Sequence, residues 1–441
     1  MHKQKPSWFA ISLLWLSASV ALVGGQVQTE SEAESPAAEA SIEDLNLVGA
    51  AVSSPPIADT VWGSETRFRR ALYRHGLLFR LDFVPRFSSN LLDAPVPRAE
   101  QAYIGHRPTW ITGIHPMLTA DLRQLRLRDT QLNVGFGWRW TDWDPAGPKT
   151  VSLSRLYLYK AWADRRVEMK LGYLGNDLEF MGLQIGGSLA NGAQGVYAVL
   201  PFEVGMSYWP SPAPSLNFRL AGPNRTYLKV AAQRSLDPGG NSANQARNPR
   251  GFRFIPKGNR LLLINEFGFR RSATDTERQV WVRVGYMHNK SRYKSLVTGE
   301  RETGNYCAYG LVDFQLRRSP AGAPSRGLYL GGSIMTVPEE FNAYSRYYEG
   351  RLYHLGPFRS RPDDVVSVVA SYRRHSSHVR ARLDAEGKSY WTGSTTLTGA
   401  YSMHVSRGNY MNVGLSYVRG AAITPRVDDA LVLNIGWFTL F

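Results

Sequence analysis

Along most of this chain the apolar positions recur at every second residue. Leu77, Phe79, Leu81 and Phe83 enclose Arg80 and Asp82. Leu132, Val134, Phe136, Trp138 and Trp140 alternate with Gln131, Asn133, Gly135, Gly137 and Arg139. Val167, Met169, Leu171 and Tyr173 alternate with Glu168, Lys170 and Gly172. The same period runs through Val312, Phe314 and Leu316, and again through Val366, Val368, Ala370 and Tyr372. Successive side chains of a strand point to opposite faces, so each segment is a strand with one apolar and one polar face. Turn signals separate them, among them Asp144-Pro145-Ala146-Gly147-Pro148, Asp237-Pro238-Gly239-Gly240, Lys257-Gly258-Asn259 and Ser319-Pro320-Ala321-Gly322. At about ten residues per membrane strand plus turns, residues 67–441 hold about 16 to 18 strands.

A soluble sandwich would alternate in the same way. Three features favour a transmembrane antiparallel β-barrel, an all-β fold of about 16 strands. The polar face carries full charges and Gly, as a wet lumen allows. Trp138-Arg139-Trp140 and Tyr157-Leu158-Tyr159 offer an aromatic girdle at strand ends. The chain closes on Leu431, Leu433, Ile435, Trp437 and Phe441, with Thr439 interrupting one apolar face. An apolar final strand ending in Phe resembles the signal read by the bacterial barrel-assembly machinery, which makes Phe441 its expected contact.

The N-terminus differs from this body. Lys3 and Lys5 precede an uncharged apolar run, Trp8–Val23, and then Gly24-Gly25, which reads as a secretory signal over residues 1–25. A membrane anchor is the alternative, but the run is short and a polar tract follows it. Residues 26–58 are acidic and rich in Ala, Ser and Pro, without Lys or Arg, and are expected to be a disordered linker. The barrel domain is expected over 59–441.

Charge sharpens this division. The 441 residues carry a net +16. Residues 1–66 hold two lysines and eight carboxylates, a net of −6, which leaves +22 on residues 67–441. A basic, exported body suits anionic lipid head groups of an outer membrane, or a pore that favours anions and polar solutes. Export and the lack of a recognised motif argue against a nucleic-acid partner. The single Cys307 excludes a disulfide scaffold. A mean hydropathy of −0.29 with one uninterrupted apolar run excludes a polytopic helical membrane protein.

Catalytic signatures are missing. Gly387-Lys388-Ser389 has Arg382 where a phosphate loop needs its first Gly, and neither Gly-x-Ser-x-Gly nor His-Glu-x-x-His occurs. His375-Ser376-Ser377-His378 follows a strand in a basic loop, which suits a solvated loop better than a metal site. Neither an enzymatic activity, a metal nor a cofactor is expected.

The body resembles the carbohydrate-selective porins of the OprB type over most of residues 59–441. Trp62-Gly63, Arg67, Leu72 and Gly76-Leu77 are similar to the family's opening element, a short amphipathic helix leading into the first strand. Arg155-Leu156-Tyr157, Val167–Gly172, Tyr227–Val230 with Asp237-Pro238, Leu263–Glu266, Arg326-Gly327-Leu328, Val337-Pro338 and Asn342 follow in order. The longest block is Tyr348–Phe358, followed by Arg361-Pro362-Asp363-Asp364. Thr398-Gly399-Ala400 before Tyr401 departs from the family, which often has a Glu there. The resemblance implies passive diffusion of small carbohydrates such as glucose into the periplasm. A general anion-preferring pore, an exopolysaccharide-secreting barrel and a soluble secreted sugar-binding protein remain as alternatives, and the barrel could be a monomer or a homotrimer.

Strand parity nominates the lumen. Arg80, Asp82, Arg139, Glu168, Lys170, Glu266, Arg270, Arg283, Asp313, Arg317 and Arg373 fall on polar faces and are the expected solute contacts. Residues 175–200 form a long Gly-rich connection carrying Phe180, Met181, Leu183 and Ile185, expected to fold inward as a constriction loop.

Overall fold

The computed structural model describes residues 42–46, 48–51, 54–93, 95–143, 149–182, 199–319, 322–424 and 429–441. The expected signal segment 1–25, linker residues 26–41, and Leu183 and Ile185 lie outside the described residues.

Sixteen antiparallel strands close into one barrel. They are β1 Leu77–Asn90, β2 Thr109–Asp121, β3 Thr130–Thr141, β4 Ser152–Trp162, β5 Val167–Leu174, β6 Ala213–Ala221, β7 Thr226–Arg234 and β8 Leu261–Arg271. The second half is β9 Val280–Asn289, β10 Asn305–Arg318, β11 Gly327–Thr336, β12 Tyr344–Leu355, β13 Val365–His375, β14 Gly393–Ser406, β15 Asn409–Arg419 and β16 Ala430–Leu440. Each strand pairs with its neighbour in sequence, and β16 returns to β1 with Phe87 opposite Ile435. Closure leaves no strand edge unpaired, the condition for strands to cross lipid. Among the described residues no helix is long and apolar enough to cross a membrane.

The period of two sorts the wall into a lipid face and a lumen face. Trp138, Trp140, Leu171, Phe267, Val284, Leu330, Ile334, Leu352, Val368, Leu397 and Leu415 are exposed outward, while the residues between them are mostly buried and polar. Trp110, Trp138 and Trp140 mark one end of this apolar band and Trp162 the other. Tyr157 and Tyr159, expected in the girdle, point inward instead, because Leu156 and Leu158 take the outward positions of β4 and the Tyr159 hydroxyl pairs with Glu168 across the lumen face.

The expected N-terminal helix is α1, Arg67–Arg74. Its Arg69 is buried, donating to Thr60 Oγ1 at 2.8 Å and Gly63 O at 3.1 Å. Trp62 lies against Phe79 and Phe441, with centroids 6.1 and 5.4 Å away. Phe441 N also donates to Leu81 O at 2.9 Å. The apolar C-terminus is thus packed where the barrel closes.

Part of the segment expected to be linker is folded. Leu45 and Ile57 are buried against Leu78, and Asn46 bonds both Pro55 O and Arg80. Its acidic composition suggested solvation, but the basic lumen supplies partners for it.

Candidate functional site

The connection from β5 to β6 enters the barrel. Helix α2, Asn176–Phe180, starts it, and α3, Val199–Glu203, resumes it. Phe180 and Met181 are 1% and 0% exposed. They pack with Leu200, Val204 and Met206 against Ile264, Met287, Cys307, Leu311 and Met335 of the wall. The expected constriction residues Phe180 and Met181 therefore anchor the connection to the wall instead of facing water. Burial of each such side chain stabilises by about 1.5–3 kcal/mol.

Polar side chains complete the attachment. Gln233 Oε1 accepts from Asn176 Nδ2 at 2.7 Å and from Ser207 Oγ at 3.0 Å. Asn289 Nδ2 donates to Val204 O, Lys229 Nζ to Glu179 O at 2.6 Å, and Arg283 to Gly182 O. Glu179 also pairs with Lys170. Buried polar groups hold such a connection in one place only if each is satisfied, and these largely are.

Ten of the eleven residues nominated by parity face the lumen, grouped in networks. Glu266 accepts from Tyr227 Oη at 2.9 Å and Tyr309 Oη at 3.0 Å, and lies 3.7 Å from Lys229 Nζ. The two rings fit because they lie across Gly268 and Gly285; a Cβ there would sit 2.3 and 2.2 Å from ring carbons. Arg270 and Arg283 flank the buried Trp281 at 4.5 and 3.5 Å from its centroid. Glu168 accepts from Tyr159 at 2.7 Å and Arg219 at 2.9 Å. Arg80 lies 3.6 Å from Asp82. Arg373 covers Tyr344 at 5.0 Å.

Asp313 belongs to a network that parity only half revealed. Arg351, with no exposed side-chain surface, pairs with Glu349 and lies 3.4 Å from Asp313. Arg351 Nη1 donates to Ser333 Oγ at 2.6 Å, and Tyr353 Oη to Asp313 at 2.9 Å.

Arg317 does not face the lumen. The register of β10 against β11 shifts between Gln315 and Arg317, so Arg317 pairs with the outward-facing Leu328. A one-residue bulge reverses the side on which every later side chain emerges. Gly327 closes that bulge at φ +142°, and a Cβ there would lie 1.9 Å from Arg317 O.

The inward connection also brings an aromatic surface into the lumen. Trp209 is partly exposed, with Arg139 4.8 Å above its ring and His115 edge-on at 4.2 Å. Parity could not find Trp209, which is in no strand. Glu349, Arg351 and Lys229 were visible as alternating polar positions in Tyr347-x-Glu349-x-Arg351-x-Tyr353 and Tyr227-x-Lys229. Among the described residues no three His, Cys, Asp or Glu side chains are placed to hold a metal, and His375 Nδ1 lies 2.8 Å from Trp391 O.

Comparison with known proteins gives the same picture. The profile of the carbohydrate-selective porin, OprB family, matches residues 143–436. The high-pH structure of Pseudomonas putida OprB is similar at TM-score 0.70 and 17% identity, over 86% of this chain and 97% of that one. The low-pH structure of the same protein is similar at TM-score 0.56 and 15% identity, over 87% and 98%. No curated protein sequence matches the chain in a direct comparison.

Proposed function

This chain belongs to the carbohydrate-selective porin family, OprB, whose members are outer-membrane channels and not enzymes, and we propose that it is a passive pore for neutral monosaccharides such as glucose, moving into the periplasm. The observation that carries this reading is Trp209 held partly exposed beside Arg139 in the lumen. A sugar has an apolar C–H face and a rim of hydroxyls. The indole offers the first a flat surface, and the neighbouring charges hydrogen-bond the second. Release stays fast because such contacts are weak and the path is wet.

The +22 of the body gives the anion pore its own support. Pairing weighs against it: Lys170 is engaged by Glu179, and Arg351 by Glu349 and Asp313. A cation whose field is spent on a neighbouring carboxylate attracts free anions less. We read residues 1–25 as a cleaved export signal and Phe441 as the mark for barrel assembly. The nominated lumen residues other than Arg317 are our proposed solute contacts, and residues 175–200 our proposed constriction.

The test is the ionic current through the reconstituted protein while glucose is added. A saturable fall in current, absent with a charged solute of similar size, supports a sugar site. A fall that tracks only the viscosity of the solution rejects it.

A further inference from the structure

The folded N-terminal segment reaches across the bore. Asn46 Oδ1 and Ser54 Oγ accept from Arg80 Nη1 on β1, at 2.8 and 2.7 Å. Asp44 O accepts from Gln131 on β3 at 3.0 Å. Gly49 packs on Tyr159 of β4, and its carbonyl accepts from Lys170 on β5 at 2.8 Å. Ala51 O accepts from Arg270 on β8 at 2.7 Å. In a closed ring of sixteen strands, β1 and β8 stand on nearly opposite sides. Asn46 Nδ2 donates to Pro55 O at 2.9 Å, so the segment goes out across the lumen and comes back. Its return end is tied by Asp59, which pairs with His404 at 3.0 Å and accepts from Tyr410.

From this we propose that the described residues of 42–59 form an acidic strap that is a second selectivity element, on the side of the barrel where α1 and Phe441 lie. The proposal rests on the pore reading above. Two physical effects follow from the geometry. The strap fills cross-section, leaving beside it a cavity of about 490 Å³ lined by Asp59, Arg326, Asp363, His404 and Tyr410. That size admits a small ligand, by the usual range of about 300–1,000 Å³. The strap also carries Glu43, Asp44 and Asp59, with no basic residue, and Asp59 sits at the mouth of the basic lumen against His404 and Tyr410. Its carbonyl oxygens occupy Lys170 and Arg270, two of the cations that would otherwise draw anions. The strap thereby shifts the pore away from anions and towards neutral solutes.

The experiment compares the full chain with a deletion of residues 42–54 in planar bilayers, reading single-channel conductance and the reversal potential in a salt gradient. We expect conductance to rise at least about two-fold and the reversal potential to move towards the anion limit. Unchanged values in a folded barrel overturn the proposal. If the deleted chain does not assemble, Ala50→Cys replaces it, since Ala50 is exposed on the strap and Cys307 is fully buried. A negatively charged thiol reagent should then reduce the Ala50→Cys current and leave the wild type unchanged; no reduction overturns the proposal. Sugar block of the wild type is measured in parallel. Its absence together with a strap effect rejects the sugar reading alone, and its presence without a strap effect rejects the strap alone.

Discussion

Replacing Arg351 by Met should destabilise the barrel strongly. The guanidinium has no exposed surface and serves two carboxylates, Glu349 and Asp313, as well as Ser333 Oγ. Its removal leaves Glu349 with the Tyr347 hydroxyl and Asp313 with the Tyr353 hydroxyl, and no cation between them. Breaking a buried pair by removing one partner costs about 3–5 kcal/mol, since an uncompensated charge stays behind. Arg351→Met should therefore lose about that much in urea unfolding from lipid vesicles, followed by tryptophan fluorescence. Adding Glu349→Gln and Asp313→Asn should restore most of the loss, because neutralising a whole buried cluster is often close to neutral. A loss below about 1 kcal/mol would match a solvent-screened surface pair and refute the reasoning. So would a triple variant no more stable than the single one.

Three further outcomes follow from the same contacts. Phe180→Ala removes a fully buried ring between the inward connection and the wall, at a cost of about 3–5 kcal/mol; the loosened connection should appear as larger and noisier single-channel currents, and currents like those of the wild type would count against its constricting role. Trp209→Ala removes the aromatic face proposed to carry the sugar's C–H side, so the glucose concentration for half-block should rise several-fold with little change in open conductance. Glu339 lies in the connection from β11 to β12, and burial raises its carboxyl while the Ser377 hydroxyl and N–H lower it further, leaving it below the usual range. A lowered carboxylate contributes stability above its unfolded value of about 4.3 and loses it as pH falls. The difference in thermal midpoint between wild type and Glu339→Gln should thus hold above about pH 5 and vanish under more acidic conditions, and a difference that grows on acidification would contradict the assignment.

Much of the fold was legible because a membrane barrel writes itself in period two. Each of the strands around Arg80, Arg139 and Glu168, and β10 as far as Gln315, sorts its side chains by parity alone, and closure needs only that pattern repeated. Parity failed where local geometry breaks the count. Arg317 lies past a bulge that Gly327 closes, and the sequence of β10 carries no mark of the shift. Tyr157 and Tyr159 looked like girdle residues, yet hydrogen bonding to Glu168 and packing against the strap hold them inside. Trp209 and the strap were beyond parity altogether. Both are irregular backbone brought into the lumen by partners distant in sequence, such as Gln233 for the inward connection and Arg270 for the strap.

The central claim is that solute identity, beyond size and charge, decides passage. Swelling of vesicles containing the purified protein measures it directly, with glucose, a disaccharide and a charged solute of glucose-like size compared at equal osmolarity. The account expects the fastest swelling with glucose and markedly slower swelling with the charged solute. Equal rates for glucose and the charged solute, or faster entry of an anion, would contradict it.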